Sequence, residues 1–212
     1  EARTRPGADK LPDSEDPSDL EGAASIYSLF FYSTPTGDEL LASASIDGDP
    51  AFLSYSSGKW SLIDPDDYAP ATSDARLAMA QGIDKVLICD GVAAYSYNGT
   101  VFTELGSTGS DCPNGATILC WHTARMFAAG DATLNDTIWV SALLDFGDGK
   151  WDATKRSFRV GGGDGDPIVA LASMQGYTLC VLKQNSIWLV ETNPQQDGVF
   201  ATGTVQNFTA AA

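Results

Sequence analysis

His122 is the only histidine in this sequence of 212 residues, and it lies close to a cysteine in Cys120-Trp-His-Thr-Ala-Arg. A cysteine and a histidine can form a nucleophile and its base. In an extended strand, Cys120 and His122 would share one face because they are two positions apart. A structural role for His122 is the favoured interpretation, and a Cys–His dyad is the alternative.

Two acidic, glycine-rich segments have the composition of cation-binding loops. Asp145-Phe-Gly-Asp-Gly and Gly161-Gly-Gly-Asp-Gly-Asp place carboxylates at intervals that suit a hard cation such as Ca²⁺. Neither segment completes an EF-hand or a repeated nonapeptide array. Both also have the composition of tight turns, because Gly accepts positive φ and Asp bonds the backbone two residues on. The glycines form no phosphate loop, since no Lys-Ser/Thr follows. We therefore expect no metal and no cofactor.

The cysteines show no metal-binding spacing. None of the four forms a CxxC pair, and a single His122 does not complete a zinc site with them: Cys89, Cys112, Cys120 and Cys180. Cys89 and Cys180 lie within apolar runs, where a free cysteine packs as a small hydrophobic residue. A disulfide between Cys112 and Cys120 stays open as an alternative in an oxidising compartment.

Composition and charge limit the partners of the chain. With 43% hydrophobic and 10% aromatic residues, the chain can bury a substantial core. Twelve Lys and Arg against 28 Asp and Glu give a net charge of −16, which repels phosphate and disfavours nucleic-acid binding. No apolar stretch approaches the ~20 residues that a membrane-spanning helix needs. We therefore expect no membrane anchor.

Three regions follow one another along the chain. Residues 1–22 are polar, acidic and proline-bearing, which predicts an extended N-terminal arm that is ordered only against a neighbour. Residues 23–194 consist of short β-branched and aromatic runs separated by Gly, Asp, Asn and Pro, as expected of many strands and turns. Residues 195–212 are predicted to be a C-terminal extension. Residues 73–81 contain a helical pattern, but we favour a strand there.

A loose repeat in the central region predicts a β-propeller. Tyr55 and Trp60 flank one glycine-containing turn, and Tyr97 and Phe102 flank another; the Asp-Gly pairs at Asp47 and Asp90, upstream of these turns, are 43 residues apart. Strand pairs continue in 125–129 with 137–141, and in 177–182 with 186–190. This spacing is close to the ~40–50 residues of a propeller blade. We predict an all-β, β-propeller-like fold with about four recognisable blades, from Ala23 to Glu191. A β-sandwich is the alternative.

Aromatic and acidic residues also allow a carbohydrate-directed function. Four tryptophans could stack on sugar rings: Trp60, Trp139, Trp151 and Trp188. Asp66 and Asp67 are paired carboxylates of the kind that glycosidases use. The tryptophans occur at what we take to be equivalent strand positions, as expected of residues that pack blades together. The segment 141–151 also lacks the Asp-box spacing of sialidases. We assign no catalytic residues, and a carbohydrate-binding or glycosidase-like β-propeller is the alternative function.

Four stretches, in this order, resemble a known family: Thr4-Arg-Pro-Gly-Ala-Asp-Lys-Leu; Leu77-Ala-Met-Ala-Gln-Gly with Tyr95-Ser-Tyr-Asn-Gly-Thr; Ile138-Trp-Val-Ser with Gly149-Lys-Trp-Asp; and Gly163-Asp-Gly-Asp-Pro-Ile-Val-Ala-Leu with Ser186-Ile-Trp-Leu-Val. Through them, residues 22–194 are similar to the propeller region of tail nozzle or hub proteins of short-tailed bacteriophages. That family includes tail tubular protein B and phage stabilisation proteins, and its members are usually much longer than this chain.

The resemblance implies a structural protein of the virion, made in the bacterial host cytoplasm, and not an enzyme. It implies a homo-oligomeric ring in the phage tail, with a hexamer favoured. Its partners would be other tail proteins, on the adaptor or portal side and on the tail fibre or spike side. Genome DNA would pass through the ring during ejection without specific binding.

One short basic run could still contact DNA. Lys155 and Arg159 would share one face of a strand, so at most two charges would meet a phosphate backbone together. Two contacts are fewer than the ~6–10 phosphates that make nonspecific binding strong. We therefore expect no measurable duplex affinity near physiological salt.

Overall fold

A computed structural model of the protein describes residues 23–34, 37–46, 48–63, 76–106, 113–192 and 206–208. Within these ranges the regular structure consists of sixteen β-strands, without a helix. No helix of these residues is long and apolar enough to cross a membrane. The strands form four antiparallel sheets of four, and each sheet uses strands that are consecutive in the chain.

Each sheet is a meander with its strands in chain order. Sheet 1 contains β1 (Ala23–Thr34), β2 (Gly37–Ile46), β3 (Asp49–Ser56) and β4 (Lys59–Leu62). Sheet 2 contains β5 (Ala78–Gly82), β6 (Lys85–Cys89), β7 (Ala94–Tyr97) and β8 (Phe102–Leu105). Sheet 3 contains β9 (Ile118–His122), β10 (Arg125–Ala129), β11 (Thr137–Val140) and β12 (Ser157–Arg159). Sheet 4 contains β13 (Ile168–Ser173), β14 (Thr178–Lys183), β15 (Ile187–Glu191) and β16 (Gln206–Phe208).

Short polar side chains determine where many strands end. Asp90 Oδ1 accepts hydrogen bonds from the backbone N–H groups of Val92 and Ala93, at 2.8 and 2.7 Å, between β6 and β7. The same two-bond pattern recurs at Asn98 after β7, at Asp131 after β10 and at Asp152 before β12. A side chain that bonds the backbone two and three residues on stabilises a turn. The chain can therefore reverse at these points without losing backbone hydrogen bonds.

The sheets succeed one another like the blades of a propeller. Their first strands lie side by side, with β1 against β5, β5 against β9, and β9 against β13. The second strands of the two middle sheets, β6 and β10, contribute alternate side chains to the sheets on either side, as the two-residue period of a strand requires. In β6, for example, Val86 and Ile88 pack towards sheet 1, whereas Leu87 and Cys89 pack towards sheet 3.

Three apolar cores fill the spaces between successive sheets. Sheets 1 and 2 share an aromatic core of Tyr32, Phe52, Tyr95, Tyr97 and Phe102 with aliphatic neighbours. Sheets 2 and 3 meet through Leu87, Cys89, Leu105, Met126, Trp139, Phe146 and Trp151. Sheets 3 and 4 meet through Phe127, Ile138, Val140, Phe158, Leu179, Val181 and Val190. Burial on both faces explains why β6 and β10 carry apolar residues at successive positions instead of alternating with polar ones.

The structure confirms the predicted fold class, all-β and propeller-like with four blades. Four separate sheets exclude the two-sheet sandwich as a description of these residues. The predicted hairpins are present, since Tyr55 pairs with Trp60 and Tyr97 pairs with Phe102. Residues 78–82 form a strand, as favoured. The predicted N-terminal arm, 1–22, lies outside the described residues. Within the predicted C-terminal extension, β16 pairs with β15.

Candidate functional site

His122 lies at the joint between sheets 3 and 4, at the end of β9, and only 2% of its surface is exposed. Its Nδ1 is 2.8 Å from Ser173 Oγ at the end of β13. Its Nε2 is 3.0 Å from Thr192 Oγ1, directly after β15. The ring also contacts Phe127 edge-on, with centroids 5.7 Å apart. One side chain thus connects two strands of sheet 4 to sheet 3.

The hydrogen bonds around His122 indicate its protonation state. Thr192 Oγ1 donates to the Tyr177 carbonyl at 2.8 Å, so it accepts a hydrogen bond from the histidine. The Nε2 atom then carries the proton, and Nδ1 accepts from the Ser173 hydroxyl. Burial lowers the pKa of His122, while a hydrogen bond to the Tyr177 backbone acts in the opposite direction. The geometry describes a neutral, structural histidine.

Cys120 and His122 do not form the Cys–His dyad considered from the sequence. Both histidine nitrogens bind hydroxyl groups, and Cys120 Sγ lies 3.8 Å from the Trp121 carbonyl oxygen. Burial raises the pKa of the Cys120 thiol, although a backbone N–H of Ser173 lowers it in part. The reactive form of cysteine is the thiolate, which a raised pKa disfavours. The structural interpretation of His122 agrees with this arrangement.

The acidic segment 161–166 holds a buried lysine. Lys183 Nζ contacts both carboxylate oxygens of Asp164 at 2.7 Å and donates to the Val160 carbonyl at 2.9 Å. The Lys183 side chain has no exposed surface, and Nζ lies 5.9 Å from the centre of the Trp188 ring. Hydrogen bonding to Lys183 lowers the pKa of Asp164. This carboxylate therefore neutralises a charge inside the protein.

Asp166 also connects the segment 161–166 to sheet 4. Its Oδ1 accepts from the backbone and side-chain amides of Asn185 at 2.9 and 3.0 Å, and its Oδ2 accepts from Ser186 Oγ at 2.8 Å. Ser186 in turn accepts from the Trp188 indole at 2.9 Å. These bonds fix the turn between β14 and β15. The segment that resembled a calcium loop thus connects sheet 3 to sheet 4.

The other acidic segment also makes internal bonds. Asp145 Oδ1 accepts from the Gly147 backbone at 3.0 Å, and Oδ2 lies 3.4 Å from Lys150 Nζ. Asp148 Oδ1 accepts from the Gly106 backbone at 3.3 Å, which links sheet 3 to sheet 2. Among the residues that the structure describes, no three His, Cys, Asp or Glu side chains are grouped to hold a metal ion.

The basic residues Lys155, Arg156 and Arg159 bind groups within the protein. The prediction that Lys155 and Arg159 share one face of a strand is wrong. The strand β12 begins only at Ser157, so Lys155 lies in the preceding turn and does not share a face with Arg159. Asp152 causes this, because its Oδ1 accepts from the Lys155 backbone, and its Oδ2 lies 3.4 Å from Lys155 Nζ. Arg156 donates to the Lys150 carbonyl at 3.0 Å.

Arg159 forms the strongest ion pair of this run. Its guanidinium contacts both oxygens of Asp136, a residue only 4% exposed. Asp136 also accepts from the Gly163 backbone at 3.2 Å. Hydrogen bonding to Arg159 lowers the pKa of Asp136. A bidentate arginine–carboxylate pair is both directional and strong, so Arg159 is committed to this contact.

Trp139, Trp151 and Trp188 pack between blades, whereas Trp60 packs within sheet 1. The four tryptophans do not occupy equivalent positions. Trp139 and Trp188 both lie on third strands, whereas Trp60 lies on a fourth strand and Trp151 in the connection between β11 and β12. Trp60, Trp139 and Trp151 are 4–9% exposed, which leaves little ring surface for a sugar. The candidate carboxylates Asp66 and Asp67 lie outside the described residues. Cys112 does too, and Cys120, its partner in the disulfide considered from the sequence, is a free thiol in the structure.

Two buried cations were missed by the sequence reasoning. Lys183 shares a strand face with Leu179 and Val181, and that alternation was visible in Thr-Leu-Cys-Val-Leu-Lys. Arg125 begins β10 and is fully buried, with Nη1 2.9 Å from the Ser141 carbonyl. No local pattern identifies the Arg125 acceptor, because Ser141 lies 16 residues away, directly after β11.

No protein-family model matches the chain, and no curated protein matches it. Among solved structures, it is similar to Hsv2 of Kluyveromyces lactis. One Hsv2 structure has a TM-score of 0.43 at 9% identity, over 87% of this chain and 62% of the Hsv2 chain. A second has a TM-score of 0.41 at 10% identity, over 87% and 63%. The chain thus spans less than two thirds of the length of these structures.

The four successive sheets, with their side-by-side first strands and three shared cores, define the chain as an all-β, propeller-like protein.

Proposed function

We propose that this chain is a structural component of a bacteriophage tail, within the nozzle or hub ring that forms part of the conduit for genome ejection. The observation that carries the proposal is the ordered set of family-like stretches. The fourth of them, 163–171 with 186–190, supplies the Asp164, Asp166 and Ser186 contacts that join sheets 3 and 4. This fourth stretch is therefore part of the scaffold.

The remaining parts of the proposal come from the same resemblance. The chain works as a homo-oligomeric ring, with a hexamer favoured, between proteins on the adaptor or portal side and proteins on the tail fibre or spike side. It resides in the virion after synthesis in the host cytoplasm. It performs no catalysis and uses no cofactor.

Charge supports a conduit that DNA passes without being held. The net charge of −16 repels phosphate. Counterion release on neutralising phosphates gives DNA-binding proteins much of their affinity. The basic run adds little, since Arg159 binds Asp136 and Lys155 lies beside Asp152.

The alternative function is a carbohydrate-binding or glycosidase-like β-propeller. The propeller-like fold suits it as well as it suits a tail protein. The burial of Trp60, Trp139 and Trp151 weighs against it, because a sugar platform needs an exposed ring face.

Binding and hydrolysis assays on the purified chain distinguish the proposed tail protein from a DNA-binding protein and from a carbohydrate-directed propeller. Fluorescence anisotropy with labelled duplex DNA over a salt series, a glycan array and hydrolysis of aryl glycosides are measured on the same preparation. We expect that the chain does not bind duplex DNA near physiological salt, does not bind any glycan on the array and does not hydrolyse the aryl glycosides. Lys155→Ala is the matched variant for DNA, since Lys155 is 66% exposed and its only described partner is Asp152.

Two results would contradict the proposal. Tight DNA binding that weakens in Lys155→Ala would identify a DNA-gripping protein. A reproducible glycan hit, or hydrolysis, would favour the carbohydrate-directed alternative.

A further inference from the structure

While others lie on the strands or at the opposite end, such as Phe31 and Val92, six of the exposed large apolar side chains lie at one end of the sheets. We call this the hairpin end; it carries the turns that follow the first and third strands of each sheet. Six large apolar residues there are between 43% and 62% exposed: Ile83, Val101, Leu143, Leu144, Met174 and Tyr177. Contiguous apolar surface of this kind marks interaction sites more often than scattered single residues do.

Backbone contacts join the exposed tips of sheets 3 and 4. The N–H of Leu144 donates to the Ala124 carbonyl at 2.8 Å, which holds the Leu144 turn against the β9–β10 turn. Thr123, in the same turn, lies 3.4 Å from Thr192 through their hydroxyl oxygens. The Thr192 N–H donates to the Tyr177 carbonyl at 2.7 Å. Leu144 and Tyr177 are thus connected through adjacent residues.

The tip of sheet 2 continues the same surface. A methyl group at Gly82 would stand 2.3 Å from Trp121 in β9, so β5 and β9 are in close contact at that point. Ile83 directly follows Gly82. We name Ile83, Leu144 and Tyr177, with their neighbours Leu143 and Met174, the apolar strip.

The turns of the hairpin end adopt an unfavourable backbone conformation. All non-glycine residues with positive φ in the described ranges are found at this end: Ser57, Ile83, Thr123, Ala124 and Leu144, with φ between 48° and 62°. A β-branched residue such as Ile83 rarely adopts φ near +57°. Gly or Asn would be less strained there. The chain thus keeps exposed apolar side chains where they cost backbone energy, and such strain is typical of functional surfaces.

Acidic side chains flank the strip. Asp84 is exposed beside Ile83 and is followed by the partly exposed Lys85, and Glu191 is exposed next to Thr192. Asp145 follows Leu144 with 39% of its side chain exposed, although Lys150 approaches it. A complementary partner therefore has basic residues around an apolar centre.

We propose that the apolar strip is a docking surface for another protein, one that presents apolar side chains surrounded by Lys and Arg. The apolar centre of the contact excludes water, and the charged rim determines partner and orientation. This proposal does not rest on the phage-tail assignment, because it uses only the exposure, connection and charge of the hairpin end.

Substitutions that reduce backbone strain in these turns distinguish a loss of partner binding from a loss of protein stability. Ile83→Asn and Leu144→Asn remove apolar surface and introduce a residue that accepts positive φ. Their melting temperatures should match or exceed that of the wild type, while binding weakens. Val92→Asn and Leu134→Asn are the controls, because Val92 and Leu134 are 62% and 48% exposed at the opposite end. Tyr177→Ser tests the strip without changing backbone strain, since Tyr177 does not have positive φ.

The probe is a fluorescein-labelled short peptide of alternating Leu and Lys, read by anisotropy. Matched peptides alternate Leu with Glu, and Ser with Lys. We expect the Leu/Lys peptide to bind at least about tenfold more tightly than either matched peptide. Ile83→Asn, Leu144→Asn and Tyr177→Ser should each reduce that preference, and the two controls should not.

Three outcomes would overturn the proposal. Equal binding of the Ser/Lys peptide would show charge attraction alone. Equal loss in Val92→Asn would show no preference for the hairpin end. Self-association in sedimentation velocity that is lost in Ile83→Asn and Leu144→Asn would show that the strip binds a second copy instead of a basic partner.

Discussion

At the scale of single residues, polar side chains connect the sheets where apolar packing ends. His122 reaches Ser173 and Thr192, and Tyr97 donates to Glu39 at 3.1 Å between sheets 2 and 1. From the sequence, a structural role for His122 was favoured over a Cys–His dyad with Cys120. Sequence reasoning could not name the hydroxyl partners, because both lie more than fifty residues away in the chain.

His122 should make stability depend on pH. Its folded-state pKa is lowered by burial, so the unfolded chain binds the proton more readily. The free energy of unfolding is therefore highest above the unfolded pKa of about 6.5 and decreases as pH falls from there towards the folded value. The slope should approach, at most, about 1.4 kcal/mol per pH unit.

Urea unfolding between about pH 7.5 and pH 5 measures this slope. His122→Gln is the control, because its amide retains a donor and an acceptor but does not titrate. As the chain has a single histidine, no other imidazole contributes in this window. An identical pH dependence in wild type and His122→Gln would show that the histidine is protonated equally in both states.

At the scale of elements, local patterns predicted the strands better than their ends. The hairpins β3–β4 and β7–β8 were predicted correctly, because a glycine-containing turn between two aromatic residues is a strong local signal. The basic run was misassigned. Asp152 bonds the backbone of Thr154 and Lys155, so the chain turns there and the strand begins later.

The ion pair between β14 and the 161–166 turn should be asymmetric in its energetics. Asp164→Asn leaves the Lys183 ammonium buried without a counter-charge, which costs about 3–5 kcal/mol in comparable cases. Lys183→Met removes the buried charge instead, and Asp164 can be hydrated because 35% of its side chain is exposed. We therefore expect Asp164→Asn to be the more destabilising change in chemical denaturation. A larger loss in Lys183→Met would show that the lysine contributes mainly through packing and its bond to Val160.

At the scale of the whole molecule, the repeat spacing predicted the number of blades. The Asp-Gly pairs at Asp47 and Asp90 follow the second strands of sheets 1 and 2, so their spacing of 43 residues reflected the blade repeat. The sheets themselves use unequal lengths of chain, from 78–105 in sheet 2 to 118–159 in sheet 3. The packing between blades was not predictable. It depends on which alternate side chains face each neighbour and on contacts such as Gly82 with Trp121, where only glycine fits. In segment 161–166, Asp164 and Asp166 bind Lys183 and Asn185, and the local sequence pattern could not identify these partners because they lie on and after β14.

We propose that the chain is a component of a phage tail, and cryo-electron microscopy of intact phage particles tests this most directly. Particles would be purified from the host culture that carries this gene and decorated with Fab fragments raised against the described turns of the chain. The account predicts Fab density in a ring of the tail, below the portal and adaptor. Undecorated particles, with the protein recovered only in the soluble host lysate, would contradict it.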